Sequence, residues 1–109
     1  MAVKIKSDRA RIAQRVQNGT QAARAAVVEH ILATCIELEL VPVAEGALRD
    51  SAQTASIPKA GKAIWDTDYA KRQYYTHATK RMWAQRAVDS QRKTLDLIAQ
   101  KAMEKGMGE

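Results

Sequence analysis

Residues 65–75 read Trp65-Asp66-Thr67-Asp68-Tyr69-Ala70-Lys71-Arg72-Gln73-Tyr74-Tyr75, and Trp83 follows eight residues later. All five aromatic residues of the chain lie in this stretch, and the sequence contains no Phe. Aromatic side chains bury large areas and dominate the energetics of cores and interfaces. We therefore expect the core of the protein, or its main contact with a partner, to be centred on residues 65–83.

Length and composition indicate one small domain with a thin core. The chain has 109 residues, and 46% of them are hydrophobic. A chain of this size buries only about two-thirds of its unfolded surface. Many of the hydrophobic residues are Ala, which contributes little buried area. We expect a single domain, residues 1–109, that neighbouring subunits help to stabilise.

The net charge is +6, from 18 basic and 12 acidic residues. The basic residues fall mainly in two zones, Lys4, Lys6, Arg9, Arg11 and Arg15 near the start and Lys71, Arg72, Lys80, Arg81, Arg86, Arg92 and Lys93 later. Solvated helix faces are the simplest explanation of this pattern, and contact with an acidic partner is the alternative. Cys35 is the only cysteine, so a reducing compartment is expected. No apolar run of membrane-spanning length and no signal peptide are seen.

The first 41 residues predict a short strand followed by a long helix. Residues 1–6 alternate apolar and basic side chains, which indicates a strand. Residues 7–41 carry an apolar stripe at spacings of three, four and seven, and Pro42 ends the pattern. Such a helix is about 50 Å long, whereas a compact domain of this size is roughly 35 Å across. Either it breaks at Asn18-Gly19 or it projects onto another subunit, and we favour one long helix.

The second half predicts a hairpin and two further helices. Residues 46–67 indicate a β-hairpin around the turn Pro58-Lys59-Ala60-Gly61. A short helix is predicted over 68–76 and a last helix over 79–105, which Gly106 ends. The expected fold is α+β, with a long N-terminal helix and a C-terminal helix packed on a small antiparallel sheet.

The aromatic residues are expected to join these elements. In this arrangement Trp65 and Tyr69 are buried at the end of the hairpin, and Trp83 packs against them from the start of the last helix. Tyr74 and Tyr75 are expected to serve contacts with other subunits more than the core.

The sequence offers no set of residues for catalysis. His30 and Cys35 are five residues apart on a helix and face different directions, so they do not form a metal-binding pair. Asp66, Asp68 and His77 lie close in sequence but lack further ligands. We predict no catalytic, cofactor or metal site, and hence no enzyme.

Two motifs carry a resemblance to a known family. The first is Trp65-x-Thr67-x-Tyr69-Ala70-Lys71-x-Gln73-Tyr74-Tyr75, with Trp83-x-x-x-Ala87 after it, and the second is Val41-Pro42-x-x-x-Gly46-x-Leu48-Arg49-x-Ser51. In this order and spacing they resemble the minor capsid and head–tail joining (neck) proteins of tailed bacteriophages. The matching positions run from Val41 to Ala87. The chain departs from the family in its short connector between Tyr75 and Trp83 and in having Asp68 where many relatives have Pro.

The resemblance implies a structural virion protein that forms a ring in the neck, joining the phage head to the tail. Its implied partners are further copies in a homo-oligomeric ring, adjacent head-completion or adaptor proteins, and tail terminator or tail-tube proteins. Genomic DNA would pass nearby without specific binding, and no membrane is involved. Assembly would take place in the cytoplasm of the host bacterium.

The residues expected at interfaces or in structural roles are Trp65, Tyr69, Arg72, Tyr74, Tyr75, Trp83, Gly46, Leu48 and Arg49. The resemblance implies that Arg49 lies near a subunit boundary as the partner of a carboxylate. The alternative function is a small basic nucleic-acid-binding protein, which salt-dependent binding to duplex DNA of any sequence would indicate.

Overall fold

The computed structural model describes residues 2–42 and 47–108, and this part of the chain is built from helices. The five α-helices are α1 (Ala2–Glu37), α2 (Ala47–Ala55), α3 (Ala70–Thr76), α4 (Trp83–Ser90) and α5 (Arg92–Gly108). A short 3₁₀ helix spans Pro58–Ala60. The described residues include no strand, and their only β pairing is an isolated antiparallel bridge between Ile57 and Lys62.

The predicted α+β fold is therefore wrong, beginning with the strand expected over residues 1–6. From Ala2 onward these residues belong to α1. Alternation over so few positions is a weak signal. Adding residues to an existing helix contributes one hydrogen bond for each residue fixed and needs no new nucleus.

The predicted hairpin over 46–67 is also wrong. Its first half forms α2, in which Leu48 and Ala52, one turn apart, are the buried residues. A turn does lie at Pro58–Gly61, where Ile57 and Lys62 exchange two backbone hydrogen bonds of 2.8 and 3.1 Å. The ladder stops there because the backbone N–H of Ile64 donates to the side-chain Oγ of Ser56 (2.8 Å). A serine hydroxyl thus takes the place of the next backbone partner.

The long helix α1 sets the shape of the molecule. It has 36 residues, which corresponds to about 54 Å, and it runs through Gly19 without a break. The principal extents are 64 × 28 × 18 Å and the radius of gyration is 17.7 Å, against about 13 Å for a compact domain of this length. Residues 9–17, here termed the N-terminal arm, are exposed along their whole length. The molecule is a helical rod with a body at one end.

Helix α5 packs antiparallel along α1, and the two backbones approach each other closely at Gly19 and Gly106. A Cβ placed on Gly106 would lie 2.9 Å from the carbonyl oxygen of Asn18 and 3.0 Å from the Cα of Gly19. A Cβ on Gly19 would lie 2.9 Å from the carbonyl oxygen of Met103. Real side chains do not approach backbone atoms so closely. Glycine at both positions is therefore what lets the helices meet.

The C-terminal helix predicted over 79–105 is two helices, α4 and α5, separated at Gln91. The backbone of Gln91 has φ −125° and ψ 17°, which is not helical. The side chain of His30 on α1 bonds to Oε1 of Gln91 at 3.2 Å, so the break lies against the central helix. Gly106 does not end the helix as expected, because α5 continues to Gly108.

The core consists of two small clusters around the C-terminal half of α1. The larger one contains Cys35, Val41, Leu48, Ala70, Trp83 and Ala87. The smaller one contains Val28, Leu32 and Ala52. Trp65 packs against both. With so few large side chains in either cluster, this one ring links most of the apolar interior.

The glycine contact predicts opposite effects for two nearby substitutions. Gly106→Ala should lower the free energy of unfolding by about 1–3 kcal/mol, because its methyl group meets backbone atoms of α1. This loss exceeds the roughly 1 kcal/mol that Ala gains over Gly in a helix. Gly108→Ala is the matched control, since nothing lies within 4 Å of its Cβ position, and it should leave stability unchanged or slightly higher. Thermal melts test both, and a Gly106→Ala variant as stable as wild type would contradict the close approach.

Candidate interaction surface

Four aromatic rings form a continuous row beside the C-terminal half of α1. The ring of Trp83 lies 5.8 Å from that of Trp65 and 4.7 Å from that of Tyr74, centroid to centroid. Tyr75 extends the row from Tyr74 at 5.2 Å. All three pairs are edge to face, at 75–85°, the geometry that aromatic quadrupoles favour. Trp83, only 1% exposed, is the buried centre of the row.

The expectation that Trp65 and Tyr69 anchor Trp83 is correct for one of the two residues. Trp65 is half-buried and contacts Trp83. Tyr69, which immediately precedes α3, is 38% exposed, and none of the three ring pairs includes it. The second ring against Trp83 is that of Tyr74, for which we expected contacts with other subunits. Tyr75, in contrast, is 61% exposed.

Two serines, Ser51 of the second motif and Ser56 just after α2, hold the segment that carries Trp65. Ser51 Oγ accepts a hydrogen bond from the backbone N–H of Asp66 (3.2 Å) and donates to the carbonyl oxygen of Leu48 (2.8 Å). Ser56 Oγ accepts from the backbone N–H of Ile64 (2.8 Å). Residues 64–66 are thus fastened to the end of α2. This explains how an irregular segment can place an indole ring in the core.

The short connector between Tyr75 and Trp83 is held by local hydrogen bonds. Nδ1 of His77 accepts from the backbone N–H groups of Thr79 (3.2 Å) and Lys80 (2.9 Å). The backbone N–H of Met82 donates to the carbonyl oxygen of Tyr74 (2.7 Å), and Met82 itself has a left-handed φ of 54°. The connector therefore returns the chain directly from Tyr74 to Trp83.

A shallow depression of about 200 Å³ opens beside the aromatic row. Its lining residues are Trp65, Ala70, Lys71, Tyr74, Tyr75 and Trp83, and we call it the aromatic depression. The indole Nε1 of Trp83 is buried and has no acceptor among the described residues. A buried donor left without an acceptor costs about 1–3 kcal/mol of stability. Lys71 on the rim adds a positive charge.

The remaining residues predicted at interfaces lie in different places. Leu48 is buried in the larger core cluster, so its role in the monomer is structural. Arg49 pairs with its neighbour Asp50 (3.2 Å) at the surface. Arg72 is exposed on α3 and is not among the residues that line the depression. Gly46 lies outside the described residues.

The described residues offer no chemical centre besides this surface. No group of three or more His, Cys, Asp or Glu side chains among them could hold a metal ion. No helix in the described ranges is long and apolar enough to cross a membrane. Cys35 is buried in the core, and burial raises the pKa of its thiol from 9.0 to about 11. The reactive thiolate is therefore absent near neutral pH.

Sequence reasoning missed three features, of which only the first leaves a signal in the sequence. Gly19 and Gly106 are isolated glycines within helical patterns, which often have a packing reason. Ser51 on α2 and Ser56 just after it both bond to residues 64–66, but only the fold shows this. The contact of Tyr74 with Trp83 depends on the connector, which the sequence pattern did not specify.

Comparison with known proteins gives one match. A family model described as minor capsid protein matches residues 3–105, nearly the whole chain. Neither a curated protein nor a solved structure matches significantly.

The aromatic row predicts a clear contrast between two substitutions. Trp83→Ala should lower the free energy of unfolding by about 3–5 kcal/mol, a large part of the roughly 5–15 kcal/mol typical of a domain. Tyr75→Ala, at the exposed end of the row, should change stability by less than about 1 kcal/mol. Chemical denaturation of both variants tests this. Equal losses in the two variants would mean that the row is not centred on Trp83.

The pKa of Cys35 predicts a loss of stability in alkali. The unfolded thiol ionises near pH 9 and the folded one near 11, so the folded state favours the neutral form. This contribution is complete below pH 9 and is lost as the pH rises from 9 to 11, by on the order of 2 kcal/mol. The Cys35→Ala variant has no thiol to ionise at this position. Its stability therefore reports the effect of the Tyr and Lys groups alone, which titrate in the same pH range. The stability difference between wild type and the variant should shrink over this range, and a constant difference would contradict a buried neutral thiol.

Proposed function

The chain belongs to the minor capsid protein family, and from this premise we propose that it is a component of the neck of a tailed bacteriophage. In this function it is a structural protein of the virion that joins the head to the tail as a ring. The family establishes the coarser statement, a structural protein of a phage particle. The place in the neck and the ring form are the proposal.

The observation that carries this proposal is the uncovered N-terminal arm. Residues 9–17 extend beyond the end of α5 and expose apolar side chains, including Ile12 at 60%. The thin core behind them contributes limited stability to a free monomer. A protein of this shape gains stability when a neighbour covers the arm. Head-to-tail contacts of this kind form closed rings when the rotation between copies closes.

The aromatic depression supports a contact with a second kind of protein. Trp, Tyr and Arg are the residues that most often dominate binding energy at interfaces. Here two Trp and two Tyr line or border a depression with Lys71 at its rim, and its neighbour Arg72 is exposed on α3. We assign this surface to an adjacent head or tail protein, such as an adaptor, a tail terminator or a tail-tube protein.

The basic residues are assigned to partners and solvent, and not to DNA. The genome slides through the neck during packaging and ejection, and a continuous ring of phosphate contacts would hold it in place. Lys71 lines the aromatic depression, where it would meet an acidic partner, and its neighbour Arg72 is exposed on the same helix. Duplex binding that persists at physiological salt would favour the nucleic-acid-binding alternative instead.

The proposal predicts a separation between folding and particle assembly. A Lys71→Ala/Tyr75→Ala variant changes only exposed groups, so its melting temperature should stay within a few degrees of wild type. When this variant replaces the wild-type chain during phage assembly, heads and tails should form but fail to join. Leu97→Ala is the matched control, because Leu97 is exposed on α5 and does not line the depression.

Electron microscopy of the particles and immunolabelling of the chain provide the measurement. Labelling restricted to the neck, with contacts between copies, supports the proposal. Labelling on the capsid faces alone, or copies without mutual contact in a reconstruction of the neck, would overturn it.

A further inference from the structure

One face of the N-terminal arm combines apolar and basic side chains. Successive residues of a helix are about 100° apart, which places Arg9, Ile12, Arg15 and Val16 within a sector of roughly 120°. Ile12 and Val16 are both exposed. Gly19 lies seven residues after Ile12, hence about 20° from it around the axis. The exposed face is therefore a continuation of the face that α5 covers farther along α1.

The opposite end of α1 exposes a complementary group of residues. Ile36 and Leu38 are large apolar residues in the open, Leu38 at 50%. Glu37 and Glu39 alternate with them and are also exposed. We call residues 36–39 the acidic end. It lies 24 residues from Ile12 along one continuous helix, or about 36 Å, so the arm cannot reach the acidic end of its own chain.

The backbone at the acidic end holds Glu39 in a conformation that is unusual for a residue with a side chain. The N–H of Leu40 bonds to the carbonyl oxygen of Cys35 (3.0 Å), and the N–H of Glu39 bonds to that of Ile36 (3.1 Å). This is the Schellman pattern that closes helices, and its left-handed position is usually Gly. Here Glu39 occupies it with φ 53°. A side chain kept in a strained position motivates a hypothesis of function.

The charges of the two ends have opposite sign. Residues 1–17 contain five basic side chains and one acidic one, whereas residues 36–50 contain four acidic and one basic. No ion pair within the described ranges involves Arg9, Arg15, Glu37 or Glu39. Their charges remain available to a partner, and complementary potentials favour the orientation that brings them together.

We propose that the arm of one copy docks on the acidic end of a second copy of this chain. Ile12 and Val16 of one copy pack against Ile36 and Leu38 of the next, and Arg9 and Arg15 face Glu37 and Glu39. This contact deepens the proposed ring, on which it rests, by identifying the two surfaces that meet. A symmetric contact between two arms would bring like charges together. A nucleic acid would leave Ile12 and Val16 against phosphates.

Reciprocal charge reversal tests this pairing. Variant one carries Arg9→Glu/Arg15→Glu and variant two carries Glu37→Arg/Glu39→Arg. Each alone places like charges across the contact, so each should associate at least about tenfold more weakly than wild type. An equimolar mixture should recover association, because the reversed arm of the first meets the reversed end of the second. Sedimentation velocity at low ionic strength, up to about 1 mM protein, measures all four samples.

The same variants distinguish the proposed contact from two other partners of the arm, a second arm and a nucleic acid. If two arms pair with each other, variant two alone will associate like wild type. If the arm binds nucleic acid, variant one will lose duplex binding while variant two, whose arm is unaltered, keeps it, and mixing the two will not restore association between copies. Either result overturns the proposal, as does a wild-type chain that stays monomeric throughout the concentration range.

Covalent capture gives an independent readout. An Ile12→Cys/Leu38→Cys variant should form a ladder of oxidised oligomers, whereas Ile12→Cys alone should form none. A dimer from Ile12→Cys alone would contradict the head-to-tail contact. Failure of this inference is distinguishable from failure of the proposed function. If the chain is labelled in the neck but no oxidised ladder forms, the proposed function holds and the docking contact is wrong. If the ladder forms but the neck is not labelled, the docking contact holds and the proposed function is wrong.

Discussion

The close contact between Gly19 of α1 and Gly106 of α5 is the constraint on which the rest of the structure depends. It sets the distance between the two helices and fixes where α5 lies along α1. Because α5 ends at Gly108, this placement also determines which part of α1 is left uncovered. A larger residue at either position would move the helices apart. A short side chain at this contact, such as Ala22 beside Gly106, would then lose much of its packing, since short side chains pack well only at close range.

The same constraint explains how so small a core can hold an irregular segment. The clusters that contain Trp83 and Val28 collect around the C-terminal half of α1. Trp65 lies between them on a stretch without regular structure, held by the hydroxyl groups of Ser51 and Ser56. The two clusters and the aromatic depression therefore share one ring. Changes at the surface of the depression are coupled to the interior through Trp65 and Trp83.

The sequence predicted the helices better than the rest of the fold. The apolar stripe and Pro42 indicate a long first helix, and an over-long helix indicates an extended molecule. The hairpin failed because residues 47–55 bury only Leu48 and Ala52, a helical spacing within a short polar stretch that periodicity barely resolves. At the site, the aromatic composition pointed to residues 65–83. It did not distinguish Tyr69 from Tyr74 as the partner of Trp83, because that depends on the turn around His77. The glycine contact depends on two residues far apart in the sequence.

The unbroken helix through Gly19 has a consequence for how the chain tolerates changes in length. The arm and the body belong to one continuous helix. An insertion between Val16 and Gly19 therefore rotates the arm about the helix axis and also shifts it along that axis. One added residue turns the exposed face by about 100° and advances it about 1.5 Å, whereas seven return it to within about 20° and advance it about 10 Å. Length changes that preserve the direction of the arm are therefore those close to a whole number of turns, such as seven or eleven residues. The length of the arm could therefore change only in discrete steps without altering the direction of its exposed face.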